Sequence, residues 1–206
     1  MLNEAIWRFL FEPESWADPN ALEALVWSDD QEILKRLGLK PTPRQWRQLI
    51  NQSHRLSDID LDLFAQRPAH RLLLLDLKSL RRLSLAACLL PFFGKVCRSM
   101  DGNFRRTSRL LFSEAELQRF DAQSSMAQTV RFSLPASQWR EPERLIQSGM
   151  ASLFEAIDAS PVLHARAQLK FPPRYLDADN ALSGLNAEHL ELLCKVSLPD
   201  HPWLSL

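Results

Sequence analysis

Residues 76–112 read DLKSLRRLSLAACLLPFFGKVCRSMDGNFRRTSRLLF, and the predicted fold is built outward from this stretch. Asp76 is a favourable N-cap residue, and its charge lies at the positive end of the helix dipole. No residue from Leu83 to Gly94 is charged, so a helix that begins amphipathic becomes apolar on every side. A bilayer span needs about 20 apolar residues, and this run is shorter. We therefore predict a helix that enters the core of a domain.

The same stretch also contains the residues that break and end helices. Proline lacks an N–H donor and crowds the preceding turn, so we predict a break at Leu90–Pro91. A second helix is expected from Pro91 to Met100, with Gly102 as its left-handed terminator. A third helix is expected over residues 104–112.

Basic residues collect just after the apolar run. They are Lys95, Arg98, Arg105, Arg106 and Arg109. One interpretation is that they solvate a helix end and pair with neighbouring acids such as Glu114. The other is that they bind a partner. Arg105 and Arg109 are four residues apart on one helical face, where like charges repel, and carboxylates of a partner would relieve that repulsion.

Composition limits the classes of function. The 206 residues contain 25 basic and 25 acidic side chains, and 46% of them are hydrophobic. Zero net charge argues against general binding to nucleic acid or to an anionic membrane. The three cysteines form no CxxC pair, which favours a reduced, cytosolic compartment. The N-terminus lacks the basic start and apolar run of a signal peptide.

Capping signatures predict most of the remaining helices. Asp18 with Pro19, Ser28 with Gln31, Thr42 with Gln45, Ser113 with Glu116, and Asn186 each open one. Gly38 is expected to close the helix that begins near Ser28. A short helix is expected over Ile59–Ala65.

The C-terminal third has a different pattern. Val130–Leu134 and Leu163–Phe171 alternate between apolar and polar residues, as half-buried strands do. Between them, Pro142–Asp158 carries the apolar stripe of a helix, with Leu145, Met150 and Ile157 among its members. The predicted fold is therefore mainly α, a compact multi-helix domain with a small two-stranded β element. We expect a single domain over 1–206, with a helical part at 1–122 and a small α+β part at 129–206.

No catalytic, cofactor or metal motif is present in the sequence. It contains no HExxH, GxGxxG or phosphate-binding glycine loop. His189 and Cys194 are five apart and point to different faces of a helix, so they do not form a metal pair. We predict that the protein is not an enzyme and binds no cofactor. Gly149 inside a helix predicts close packing of another element, such as the strands.

Three groups of residues resemble a known family. The first is the opening WRFLFEPESWADPNAL, with Phe11, Pro13, Trp16, Pro19 and Leu22; the second is the leucine- and arginine-rich segment 80–90; the third is Trp139 followed by Ile146, Gln147, Ser148 and Gly149. Their order and the chain length resemble the K subunit of the type III secretion sorting platform, the SctK family (YscK, PscK and OrgA-like proteins).

The resemblance implies a non-enzymatic cytosolic adaptor of the bacterial injectisome, at the cytoplasmic face of the inner membrane. Its partners would be the forkhead-associated-like cytoplasmic domain of the inner-membrane ring protein and the pod protein, and through them the ATPase and cargo-sorting assembly. Neither nucleic-acid binding nor membrane insertion is expected. The alternative is a helical, nucleic-acid-associated regulator that uses the basic residues from Arg98 to Arg109.

Overall fold

The protein is described from a computed structural model, which covers residues 2–25, 38, 41–53, 62–92, 94, 102–123, 130–132, 141–172, 175, 182–201 and 204. These residues are mainly helical. In chain order the α-helices are α1 (Leu2–Phe11), α2 (Pro19–Leu25), α3 (Pro43–Ser53), α4 (Leu63–Gln66), α5 (Leu77–Leu89), α6 (Gly102–Leu111), α7 (Glu114–Ala122), α8 (Pro142–Ile157), α9 (Pro161–Gln168) and α10 (Ala187–Ser197). Short 3-10 helices cover Pro13–Ser15, Pro68–Leu74 and Leu90–Phe92.

Two compact units make up the chain, and each combines two separated segments. The first unit contains Met1–Asp76 and Ala159–Asp177, and the second contains Leu77–Asp158 and Ala178–Leu206. These divisions differ from the predicted parts at 1–122 and 129–206, and the expectation of a single domain stays a prediction.

Several predicted helix starts are confirmed by hydrogen bonds between residues that are close in the sequence. The Thr42 N–H donates to Gln45 Oε1 at 2.8 Å, and the Asn20 N–H donates to Asp18 Oδ1 at 2.9 Å. Ser113 with Glu116, and Asn186 with His189, each form a reciprocal capping box. These caps satisfy N–H groups that a helix leaves without an internal partner.

The core helix predicted from the apolar run is confirmed as α5, which begins directly after Asp76. Every residue from Leu83 to Leu90 is buried. The helix ends at Leu89 and a 3-10 turn follows, so the predicted break at Pro91 is also confirmed. Among the described residues, no helix is both long and apolar enough to cross a membrane.

Gly102 was predicted to end a helix, and this prediction is wrong. Gly102 is the first residue of α6, and its φ is not positive. The left-handed glycine of this region is Gly94, with φ of 86°. The helix predicted over Pro91–Met100 falls mostly outside the described residues. The same holds for the helix predicted from Ser28 and for the first part of the one over Ile59–Ala65.

The predicted strand over Leu163–Phe171 is also wrong, because Pro161–Gln168 forms α9. Ser160 caps this helix by accepting a hydrogen bond from the Leu163 N–H at 3.3 Å, and Pro161 occupies its first turn. The predicted β element, with Val130–Leu134 and Leu163–Phe171 as its two strands, is therefore not shown by the described residues. Within the described part of the chain, the β pairing is a two-residue antiparallel contact between Arg131–Phe132 and Leu182–Ser183.

The first unit packs its helices around a small apolar cluster. Leu22 of α2, Ile50 of α3 and Leu169 after α9 are buried together, with Trp16 and Trp46 packed against them. Those residues come from distant parts of the chain, so this unit forms only when residues 159–177 return to the N-terminal helices.

The second unit is organised around α5 and α8. The predicted extent of α8 is confirmed. The α8 stripe is buried, and Asp158 ends the helix with a left-handed φ of 50°. Where the two helices meet, Cys88 Sγ donates to the Leu145 carbonyl at 3.2 Å, and Ser84 Oγ lies 3.3 Å from Met150 Sδ. Helix α10 also packs against α5 and α8.

Candidate interaction surfaces

The arginine residues predicted to bind a partner lie on the exposed face of α6. Arg105, Arg106 and Arg109 are exposed, and the neighbouring Leu110 is 59% exposed. On the opposite face Thr107 and Ser108 are buried. The structure therefore brings three members of the predicted cluster onto one surface. We call this surface, which consists of the three arginines and Leu110, the arginine face. Lys95 and Arg98 lie outside the described residues.

The electrostatic environment differs among the three arginines. Arg109 forms an ion pair with Glu114 at 3.1 Å, in which both side chains are about half exposed. Exposed pairs of this kind contribute about 0–1 kcal/mol, so a partner can replace Glu114 at little cost. Neither Arg105 nor Arg106 has an acidic partner among the residues that the structure describes.

Helix α6 leads into a well-anchored segment. Glu116 closes the α7 capping box and also accepts from Arg82 of α5, while the Arg82 guanidinium lies 5.3 Å from the centre of the Phe112 ring. Burial lowers the pKa of Arg82, with the charge of Arg119 acting in the same direction. The end of the arginine face is thus tied to the core helix of its unit.

The N-terminal motif residues are divided between the core and the surface. Pro13 and Leu22 are buried, and Pro19 begins α2. Trp16 stacks on Phe9 with ring centres 5.0 Å apart, and its indole N–H donates to the Arg8 carbonyl at 3.1 Å. Most of the motif therefore supports packing of the first unit.

Phe11 is the motif residue that faces solvent. It is 40% exposed and lies beside Trp7, which is 51% exposed, with ring centres 5.8 Å apart. Sequence reasoning singled out Phe11 but missed Trp7. A signal was present, because five of the six residues from Ile6 to Phe11 are apolar and cannot all lie on the buried face of one helix.

Gln147, Ser148 and Gly149 lie in α8 at its crossing with α5. A Cβ atom at position 149 would overlap the Ser84 carbonyl oxygen, and it would lie 2.8 Å from the Ser84 carbonyl carbon and 3.0 Å from Cys88 Sγ. The prediction of close packing at this glycine is confirmed, but the neighbouring element is a helix and not a strand. This part of the motif brings two helices together and leaves no room for a ligand at Gly149.

Sequence reasoning missed two buried cations in the first unit. Arg166 of α9 is fully buried, and its guanidinium donates to the carbonyls of Phe9, at 3.0 Å, and of Leu10. It also lies 3.4 Å from Asn51 Oδ1. These carbonyls belong to the last turn of α1, where a helix has no internal donors for them. Arg166 thus caps α1 from a segment about 150 residues away in the chain.

Lys170 makes a similar connection. Its ammonium group donates to the carbonyls of Leu73 and Leu75 at 2.6 and 2.7 Å, and lies 5.1 and 5.4 Å from the ring centres of Phe9 and Trp16. The carbonyls and rings favour the charged form. Burial opposes it more strongly and lowers the pKa of Lys170 to about 7, although the charge of Asp76 acts in the other direction.

The lowered pKa of Lys170 predicts a pH-dependent stability. Between pH 7 and pH 10 the unfolded chain binds a proton at this side chain that the folded chain has lost, so the free energy of unfolding should rise with pH. The slope can approach about 1.4 kcal/mol per pH unit. Urea unfolding at pH 7, 8, 9 and 10 measures it, with Lys170→Met as the reference because methionine cannot titrate. Equal pH dependence in the two proteins would contradict the prediction.

The described thiols are buried, and the histidines at 164 and 189 contact residues of their own helices or caps. Burial raises the pKa of both Cys88 and Cys194 to about 12, so neither forms a thiolate near neutral pH. His189 accepts the Asn186 N–H at its Nδ1, as part of the α10 cap. His164, predicted on a strand, lies on α9 beside Gln168. In the described part of the chain, no group of three or more His, Cys, Asp or Glu residues could hold a metal ion.

One open groove lies between α7 and α10, with a volume of about 530 Å³. Its charged lining consists of Arg119, Glu188, Glu191 and Lys195, and Lys195 is paired with Glu191. Two basic and two acidic side chains leave the lining of the groove without net charge.

These features define a mainly helical protein. Comparison with protein-family models, with curated proteins and with solved structures finds no significant match to this chain.

Proposed function

We propose that this protein is a non-enzymatic adaptor of a type III secretion sorting platform, located in the cytoplasm at the inner membrane. In this role it links the cytoplasmic domain of the inner-membrane ring protein to the pod protein. Support for the family comes from the ordered motifs that begin at Phe11, at Leu80 and at Trp139. Support for an adaptor role comes chiefly from the arginine face, which offers exposed cations on a helix with a buried opposite side.

The physical case for the arginine face is that its backbone is ordered before binding. Thr107 and Ser108 are buried beneath it, and the next helix is capped and paired to α5. Binding then costs little further ordering of the backbone. Guanidinium groups grip carboxylates through two parallel hydrogen bonds, which suits an acidic surface on the partner.

Charge reversal tests this surface. The double substitution Arg105→Glu/Arg106→Glu should weaken association with one of the two platform partners about tenfold or more, because attraction becomes repulsion. Binding of the unsubstituted protein should also weaken as salt is added. The fold should survive, since both residues are exposed and lie in the N-terminal half of α6, where acidic side chains suit the helix dipole.

A matched control uses arginines on other helices. Arg44 of α3 and Arg144 of α8 are exposed. The pair Arg44→Glu/Arg144→Glu changes the net charge by the same amount, and it should leave association unchanged. Association can be measured by biolayer interferometry with purified ring-protein cytoplasmic domain and pod protein.

The outcomes separate the candidate functions. If the Arg105→Glu/Arg106→Glu protein binds both partners at full strength, the arginine face is only a solvated surface. If the unsubstituted protein binds neither partner, the adaptor assignment fails. Tight, salt-sensitive binding to duplex DNA or to RNA, with no binding to either protein, would favour the nucleic-acid-associated regulator instead.

A further inference from the structure

A second exposed surface lies on the first unit and has a different chemistry. We call it the aromatic patch, formed by Trp7 and Phe11 of α1. Their rings lie 5.8 Å apart and are 51% and 40% exposed, while Phe9 and Leu10 on the other side of the helix are buried. Large exposed aromatic side chains are enriched among residues that dominate protein–protein binding energies.

The backbone that carries this patch is held by hydrogen bonds from outside the helix. Arg166 donates to the Phe9 and Leu10 carbonyls, and the Trp16 indole donates to the Arg8 carbonyl. The C-terminal turn of α1 is therefore fixed by a buried guanidinium and a stacked ring. An aromatic surface on such a base loses little backbone freedom on binding, which favours affinity.

The charges around the patch restrict what can bind there. Glu4 and Arg8 form an ion pair at 3.3 Å, and Glu12 follows at the end of the helix, partly exposed. Glu12 also interacts electrostatically with Arg47, which is paired with Glu14. Three acids and two bases leave the rim weakly negative, so an anionic membrane surface is disfavoured. An acidic segment of the kind that suits the arginine face is also disfavoured, because its carboxylates would meet Glu4 and Glu12.

The size of the patch restricts it further. Helix α1 has ten residues, which corresponds to a length of about 15 Å. A stable interface between two folded chains buries at least about 1,200 Å² in total. A partner helix of two or three turns has the same length as this strip, whereas a stable dimer of this chain would have to bury surface well beyond it.

We infer that the aromatic patch is a docking site for a short amphipathic helix of a partner protein, carrying aliphatic side chains and at least one lysine or arginine. The aliphatic groups cover Trp7 and Phe11, and the basic group lies beside Glu4 or Glu12. Because the patch and the arginine face prefer segments of opposite charge, they recognise different segments. This inference does not depend on the secretion-system assignment.

A displayed library of helical peptides, selected on the immobilised full chain, tests the inference. Selected peptides should carry aliphatic residues three and four positions apart together with Lys or Arg. They should bind the Trp7→Ser/Phe11→Ser protein at least tenfold more weakly than the unsubstituted protein, because the aromatic contact is lost. Leu110→Ser is the matched control, since Leu110 is also an exposed apolar residue, and it should bind them normally.

Two further measurements distinguish this inference from binding at the arginine face and from a dimer of this chain. The Arg105→Glu/Arg106→Glu protein should bind the selected peptides at full strength, whatever it does with the platform proteins. Selection of no peptide, or of peptides that bind Trp7→Ser/Phe11→Ser equally well, overturns the inference. A dimer in size-exclusion chromatography that Trp7→Ser/Phe11→Ser converts to monomer also overturns it, in favour of a second copy. Circular dichroism confirms that each variant is folded.

Discussion

Replacement of Gly149 with alanine is expected to lower the free energy of unfolding by about 2 kcal/mol or more, even though alanine is the better helix former. The added methyl group would overlap the Ser84 carbonyl oxygen and come within 2.8 Å of its carbon. Backbone atoms cannot rotate away, so α5 and α8 must separate. Overpacking of this kind costs about 1–3 kcal/mol or more, while the gain in helix propensity is only about 1 kcal/mol.

Gly102 provides the control, because it is also a helical glycine in the second unit. A Cβ atom there would have no neighbour within 4 Å, and its φ is not positive. Gly102→Ala should therefore be neutral or stabilise by up to about 1 kcal/mol, by reducing the freedom of the unfolded chain. Urea unfolding followed by circular dichroism measures both variants. Equal stabilities would show that the helix crossing can relax around a methyl group.

Replacement of Arg166 with methionine should destabilise the protein by about 3 kcal/mol. Methionine fills similar space but cannot donate, so the buried carbonyls of Phe9 and Leu10 lose their partner. Each buried acceptor left unsatisfied costs about 1–3 kcal/mol. Part of that cost is offset because a buried cation is removed. Burial lowers the pKa of Arg166 to about 10, which leaves it charged near neutral pH.

Arg44→Met on the exposed side of α3 is the control, and it should change stability by less than about 0.5 kcal/mol. Arg166→Lys separates charge from geometry. Lysine keeps the charge but lacks the planar fork that reaches both carbonyls, so it should rescue only part of the loss. An Arg166→Met protein as stable as the unsubstituted one would show that other donors satisfy the α1 carbonyls.

The misassigned strand at Leu163–Phe171 shows where polarity patterns fail. Apolar residues alternate there with His164, Arg166, Gln168 and Lys170, which is a strand pattern if charged residues face solvent. In the structure Leu163, Arg166 and Ala167 are buried, and their spacing is that of a helix face. Lys170, just after the end of α9, is buried too. Because two of these buried residues are cations, the pattern of apolar residues alone did not show the helix face. The Ser160-Pro161 start signal was available and pointed to the helix.

The candidate surfaces could be predicted only in part for a similar reason. Clustering of arginines in the sequence located Arg105, Arg106 and Arg109, which α6 places on one exposed face. The role of Trp16 in covering Lys170 and the exposure of Trp7 depend on which side of α1 is buried. That choice is made by contacts with Phe64 and with residues 166–170, which are distant in the chain.

Local sequence was enough to predict the helix caps at Thr42, Ser113 and Asn186, the break at Pro91 and the burial of α5. Each depends on side chains within a few residues or on the absence of charge over several turns, and such interactions form wherever the segment lies. The contact of Gly149 with α5 and the burial of Arg166 and Lys170 depend instead on how distant segments pack. A buried cation needs hydrogen-bond acceptors around it, and here these are carbonyls of other segments, whose positions are fixed when those segments pack together.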